Sequence, residues 1–192
     1  MMSNKPTFEP ASPELQQEDD SAQVERAYGD PQAFGALYDR YVQSIYRYLA
    51  SRLRDGEAAQ DLTSQTFLSA FEALPRYRHN GHFPAWLFSI ARSKLVDHVR
   101  KENRQNGVWL ASAGADTFDP LQEIVQHERI AALRSVIESL PEEEQELLRL
   151  RYVAELSFSD IAVLLKRNED AVKKTLYRLL ARMHSRMESK HE

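Results

Sequence analysis

The chain has 192 residues, 42% of them hydrophobic and 28% charged, with a formal charge of −4 at pH 7 and no cysteine. That length fits one or two small domains, and the missing thiols exclude disulfides, thiol catalysis and cysteine-based zinc sites. The longest nearly apolar run, AWLFSIA, is too short to span a bilayer, and the opening MMSNKPTFEPASPELQQEDD lacks the apolar core of a secretion signal, so a cytoplasmic protein with no membrane insertion is expected.

The net charge hides a segmented pattern. Residues 1–33 carry 2 basic and 7 acidic groups, residues 34–104 carry 11 and 7, residues 105–155 carry 4 and 10, and residues 156–192 carry 8 and 5. Two basic blocks thus alternate with two acidic ones, and the overall balance says little about local affinity for polyanions.

In chain order, residues 1–23 are polar and acidic and are expected to form a disordered tail. A first domain is expected over 24–104. Asp30-Pro31 is an N-cap followed by proline at the first helical position, and Phe34, Leu37, Tyr38, Tyr41, Val42, Ile45 and Leu49 recur at helical spacing behind it. Arg54-Asp55-Gly56 interrupts that helix. A second is predicted from about Glu57 to Leu74, stopped by Pro75, and Asn80-Gly81 then marks a turn. A third is predicted from about Pro84 to Asn103, apolar in its first half and basic in its second. Residues 105–120 are rich in small and turn residues and read as a flexible linker, with Trp109 as an oddity within it.

A second domain is expected over 121–192. One helix carries Leu121, Ile124, Val125, Ile130, Leu133, Val136, Ile137 and Leu140. Pro141 opens another with a glutamate-rich first turn that suits the helix dipole. Ser157 and Asp160 form a capping pattern, and a last helix runs from about Asn168 to Met187. The prediction is an all-α protein of two small helical domains, the C-terminal one a helix-turn-helix domain. On a wheel of about 100° per residue, Val172, Leu176, Leu179, Leu180, Met183 and Met187 share the core face. Lys174 and Tyr177 fall opposite, flanked by Asp170, Lys173 and Arg178. A short helix, a tight turn and a longer helix with an exposed basic start is the pattern that enters a DNA major groove. Lysine and arginine there supply donors to base edges, while Arg182 and Arg186 suit phosphates. A solvated basic face is the competing reading.

Several segments in order resemble the sigma factors of bacterial RNA polymerase. Leu156-Ser157, Asp160-Ile161-Ala162, Leu165 and Ala171-Val172-Lys173 are similar to the family's promoter-reading helix-turn-helix, and SLPEEEQELLRLRYVAELS is similar to the run before it. AFGALYDRYVQSIYRYLASRL, AAQDLTSQTFLSAFEAL and FPAWLFSIARSKLVDHVRK resemble the sigma core domain. Two such domains with little else is the layout of the extracytoplasmic-function group. The resemblance implies a protein with no catalytic residues, cofactor or metal, whose partners are RNA polymerase core enzyme, promoter DNA and an anti-sigma factor. It places Asp61, Leu62, Gln65 and Phe67 at the polymerase. It places Arg78, His79, Asn80 and His82 at a base flipped from the minus-ten element, with Arg92, Lys94, Arg100 and Lys101 along the strand. Trp86 and Phe88 are candidate stacking platforms, against a competing place for Trp86 in the core. It places Asp170, Lys173, Lys174, Tyr177, Arg178 and Arg182 at the minus-thirty-five element. A regulator or decoy that binds an anti-sigma factor without initiating is the alternative. His79-x-x-His82 as a metal site has no carboxylate or thiolate beside it in sequence.

Two departures from the family pattern stand out. Ser93 occupies the usual asparagine position. Lys166 replaces the turn glycine, which leaves a neighbour such as Asn168 to supply the left-handed backbone.

Overall fold

A computed structural model describes the backbone of residues 13–28, 30–53, 55–78, 80–106 and 124–188. Residues 1–12 of the expected tail and 107–120 of the expected linker, Trp109 included, lie outside the described residues. Eight α-helices occupy the described chain: α1 Pro13–Ala27, α2 Pro31–Ala50, α3 Gly56–Ala73, α4 Phe83–Asn106, α5 Ile124–Glu138, α6 Glu142–Leu148, α7 Phe158–Leu165 and α8 Glu169–Glu188. None of the described helices is long and apolar enough to cross a membrane.

Local side-chain chemistry starts these helices. The Asp30 carboxylate accepts from the Gln32 N–H at 2.8 Å ahead of Pro31. The Asp55 carboxylate accepts from the Glu57 and Ala58 N–H groups at 2.8 and 3.3 Å. Ser157 Oγ accepts from the Asp160 N–H at 3.0 Å. Each satisfies donors that the first helical turn leaves without a partner.

α1 departs from the expected disorder to residue 23. Asp20, Val24 and Ala27 lie on one face, 3%, 0% and 6% exposed, and α1 packs along α2. Arg40 Nη1 donates to the Asp20 carboxylate at 2.6 Å, and the Tyr41 hydroxyl also donates to it. Burial pushes the Asp20 carboxyl above its ordinary pKa, an effect that the bonds from Tyr41 and Arg40 oppose. The acidic composition conceals this because Asp20 faces inward and has its partners on another helix.

In the first domain Leu37, Ile45, Tyr48, Leu49, Leu74, Phe83, Leu87 and Phe88 are fully buried or nearly so. The Tyr48 and Phe88 rings meet edge to face at 5.5 Å, a geometry that aromatic quadrupoles favour. In the second domain α6 continues through one π-helical turn, Arg149–Val153. α7 and α8 pack together beyond it, and α5 lies against α8. Ile130 and Leu133 of α5, expected on its apolar face, are 53% and 37% exposed. The two domains also touch one another: α7 lies against α4, and the π-helical turn lies against α2.

The turn between α7 and α8 differs from the sequence expectation. Lys166 itself takes the left-handed conformation, φ 53° and ψ 46°. Asn168 instead caps α8, its side-chain oxygen accepting from the Asp170 N–H at 2.9 Å. A side chain in that backbone region costs about 1–2 kcal/mol, and glycine's greater freedom when unfolded offsets part of the relief. Lys166→Gly is therefore expected to stabilise the second domain by about 0.5–1 kcal/mol, read as a shift in the urea midpoint with an unchanged denaturant slope.

Candidate nucleic-acid interface

α8 is amphipathic in the sense required of a groove-reading helix. Val172, Leu176, Leu179 and Met183 are buried at 0–7%, while Asp170, Lys174, Tyr177 and Arg178 are exposed on the opposite side. Tyr177 is 60% exposed, with its ring 6.2 Å from that of Phe158. Lys173 is less available than its neighbours. Its ammonium pairs with Glu169 at 2.6 Å and stands 5.7 Å from the Phe158 ring centre. The bond to Glu169 raises the Lys173 pKa. Arg182, expected at a phosphate, pairs with Glu144 at 2.7 Å, and Arg186 donates to Ser139 Oγ at 3.3 Å.

The loop before α4 turns at Gly81, φ 76°. Asn80 Oδ1 accepts from the His82 N–H at 3.2 Å, and Arg78 and Asn80 are exposed. His79 lies outside the described residues. His82 faces the second domain, its Nδ1 3.0 Å from Asp160 Oδ1. Of the cations on α4, Arg100 and Lys101 are exposed and Lys94 is half-buried. Arg92 pairs with Glu146 of α6 at 3.0 Å.

Phe88, Leu62 and Phe67, expected at this surface or the neighbouring one, are core instead, and Trp86 is partly so. Phe88, 0% exposed, packs on Tyr48 and offers no stacking platform. Trp86 is half-buried against Tyr77 and Phe83, ring centres at 4.6 and 5.5 Å. On α3, Leu62 and Phe67 are 5% and 4% exposed, so they support the helix from within. Asp61 and Gln65 do face outward, joined by Leu68 at 60% exposure. Helical spacing from Asp61 through Gln65 to Leu68 was the available signal for that third residue.

A carboxylate on α6 gathers groups from both domains. Tyr48 donates to Glu146 Oε1 at 2.8 Å across the boundary. Glu146 Oε2 makes no hydrogen bond but lies 3.5 Å from Arg52 and 3.8 Å from Arg149. Arg52 also pairs with Glu142. Burial, and then the Glu146 charge, raise the Tyr48 phenol above its ordinary pKa. Burial lowers the Arg52 and Arg149 guanidiniums, against the pull of Glu146.

The comparisons with known proteins agree with this layout. Residues 37–105 match the family model of sigma-70 region 2, and residues 130–183 match that of sigma-70 region 4. The chain is 34% identical over 160 residues to the ECF RNA polymerase sigma factor BldN of Streptomyces coelicolor, covering 81% of this chain and 61% of that protein. It thus spans about three fifths of that relative's length. It is 28% identical over 148 residues to the ECF RNA polymerase sigma factor SigM of Bacillus subtilis, covering 77% of this chain and 90% of SigM. Among solved structures, CnrH in complex with the cytosolic domain of CnrY superposes with a TM-score of 0.60 at 21% identity, covering 88% and 97% of the two chains. The sigma factor RpoE in complex with the anti-sigma factor NepR, from Bartonella quintana, gives 0.61 at 18% identity, covering 81% and 96%.

Proposed function

This chain belongs to the extracytoplasmic-function group of sigma-70 factors, and from that membership we propose that it binds RNA polymerase core enzyme, selects promoters and helps open the duplex. Its site of action is the cytoplasm, where the polymerase works, and it carries out no covalent chemistry of its own. The observation that carries the reading is the exposed face of α8, Lys174, Tyr177 and Arg178, set opposite a fully buried apolar face. Lysine and arginine reach base edges or phosphates, and the Tyr177 ring offers an apolar surface to a thymine methyl. Asp61, Gln65 and Leu68 of α3 form the polymerase-facing stripe. Arg78, Asn80, His82, Arg92, Lys94, Arg100 and Lys101 line the path of the melted strand. A solved structure of similar fold holds an anti-sigma factor, and an anti-sigma factor is the expected partner of the idle protein.

The test is a run-off transcription screen of genomic fragments with core polymerase. Discrete transcripts that need both proteins are expected, and a complete absence of them would overturn the reading. Lys101→Ala is expected to weaken holoenzyme binding to all promoters alike, without changing their ranking. If Lys101 meets a phosphate, the slope of log affinity against log salt falls in magnitude by about 0.7–0.9.

A further inference from the structure

We infer that Tyr28, just past the end of α1, is a positioning residue for base capture: its hydroxyl anchors Tyr77, and Tyr77 in turn aims the Asn80 amide at the melted strand. This rests on the reading above of Asn80 as a residue on the strand's path. The Tyr28 hydroxyl donates to the Tyr77 carbonyl at 2.5 Å, across 49 residues of sequence. Tyr28 lies ahead of the segment 37–105 that matches region 2, and Tyr77 lies within it. The brace therefore joins α1, which the matched segment does not include, to the loop before α4.

Each link in the brace is itself held. α1 keeps its register on α2 through the buried Val24 and Ala27, and through Asp20, which accepts from Arg40 and Tyr41. That register sets where the phenol stands. Tyr28 is 40% exposed, so its bond to Tyr77 counts for more than the burial of its ring. Tyr77 follows the short 3-10 turn Leu74–Arg76, and its N–H donates to the Leu74 carbonyl at 2.9 Å. The Tyr77 ring is buried against Phe83 and Trp86, centres at 5.8 and 4.6 Å. From there its hydroxyl donates to Asn80 Oδ1 at 3.3 Å, and the same oxygen accepts from the His82 N–H at 3.2 Å. An amide oxygen has two lone pairs, and both are used. The oxygen thus serves the loop, and the exposed Asn80 side chain offers its Nδ2 donors to a base. An extruded base is read by hydrogen bonds along its edge. How well it is told from the other three bases then depends on how firmly that amide is held.

The test pairs the full chain with core polymerase on a promoter from the run-off screen, rebuilt with each base in turn at every minus-ten position. Discrimination at a position is the ratio of run-off rates between its best and worst base. Tyr28→Phe removes only the hydroxyl. It is expected to lower discrimination about five-fold at one position, roughly what a single hydrogen bond is worth, and to change nothing at the minus-thirty-five element. Asn80→Ala is expected to flatten discrimination at that same position, and adding Tyr28→Phe to it is expected to lose nothing more, because the two act through one contact. A purely structural role for Tyr28 would lower run-off from all templates alike and add to the Asn80→Ala loss. That outcome overturns the inference, as does unchanged discrimination in Tyr28→Phe. Tyr77→Phe keeps the ring in its cluster and removes the second hydroxyl of the brace. It is expected to repeat the Tyr28→Phe pattern, and intact discrimination in that variant overturns the relay to Asn80. If Asn80→Ala alters discrimination nowhere, the base-reading role of Asn80 falls and the brace falls with it, while wild-type run-off remains the separate test of promoter selection.

Discussion

Leu62→Ala is expected to cost the first domain about 2–5 kcal/mol of stability, while Leu68→Arg, on the same helix, leaves stability unchanged and weakens binding to core polymerase about 30-fold. The two leucines have opposite surroundings. Leu62 is 5% exposed inside the cluster formed with α2 and α4, and Leu68 is 60% exposed. Truncating the first removes transfer free energy and leaves a cavity. The second lies mostly in solvent, and surface changes of that kind stay within about 0.5 kcal/mol. At a partner interface an exposed leucine beside polar Asp61 and Gln65 has the makings of an anchor, and a residue worth about 2 kcal/mol costs about 30-fold in affinity when lost. The measurements are urea unfolding of the free protein and competition for core enzyme. Full core binding by a folded Leu68→Arg variant would dismiss the stripe as a docking surface.

Helix starts were the most legible part of this fold, because an N-cap is a contact between near neighbours in sequence. Asp30 and Ser157 each do what their spacing suggests, while Asp55, expected only to break α2, also caps α3. The apolar face of α8 was legible for the same reason, since a period of 3.6 needs no tertiary information. The turn after α7 was only half legible. The missing glycine flags a strained position, but nothing local says whether Lys166 or Asn168 takes it, and Asn168 proved more useful as a cap. α1 escaped notice because Asp20 is buried on partners 20 and 21 residues away. The domain seam left the faintest trace. Tyr48 and Glu146 are 98 residues apart, and no local pattern relates the two. The residues expected at the polymerase divide by burial. A segment similar to a family motif identifies the helix, whereas burial decides which of its side chains a partner can reach, and that consigned Leu62 and Phe67 to the interior.

Reversing charge on the outer face of α8 is expected to have the largest effect on promoter use. Lys174→Glu with Arg178→Glu should lower promoter-directed run-off by at least about 30-fold, since each good base contact is worth about 1–3 kcal/mol and both are lost together. Lys173 is the poorer choice for this experiment. Its ammonium is tied to Glu169 at 2.6 Å, and glutamate in its place would set like charges four residues apart on the helix, adding a stability cost of about 0.2–0.5 kcal/mol. Lys174 and Arg178 are exposed on the same turn and a half of helix, so the doubly reversed protein should melt as wild type does. The polymerase stripe lies on α3, in the other domain, and core binding should survive. That combination separates an initiating factor from a decoy, because a decoy that only occupies an anti-sigma partner has no need of a cationic face on α8. Undiminished run-off from the reversed protein would move promoter reading away from α8, whatever the helix-turn-helix suggests. Lost run-off with retained core binding would locate the defect at the DNA.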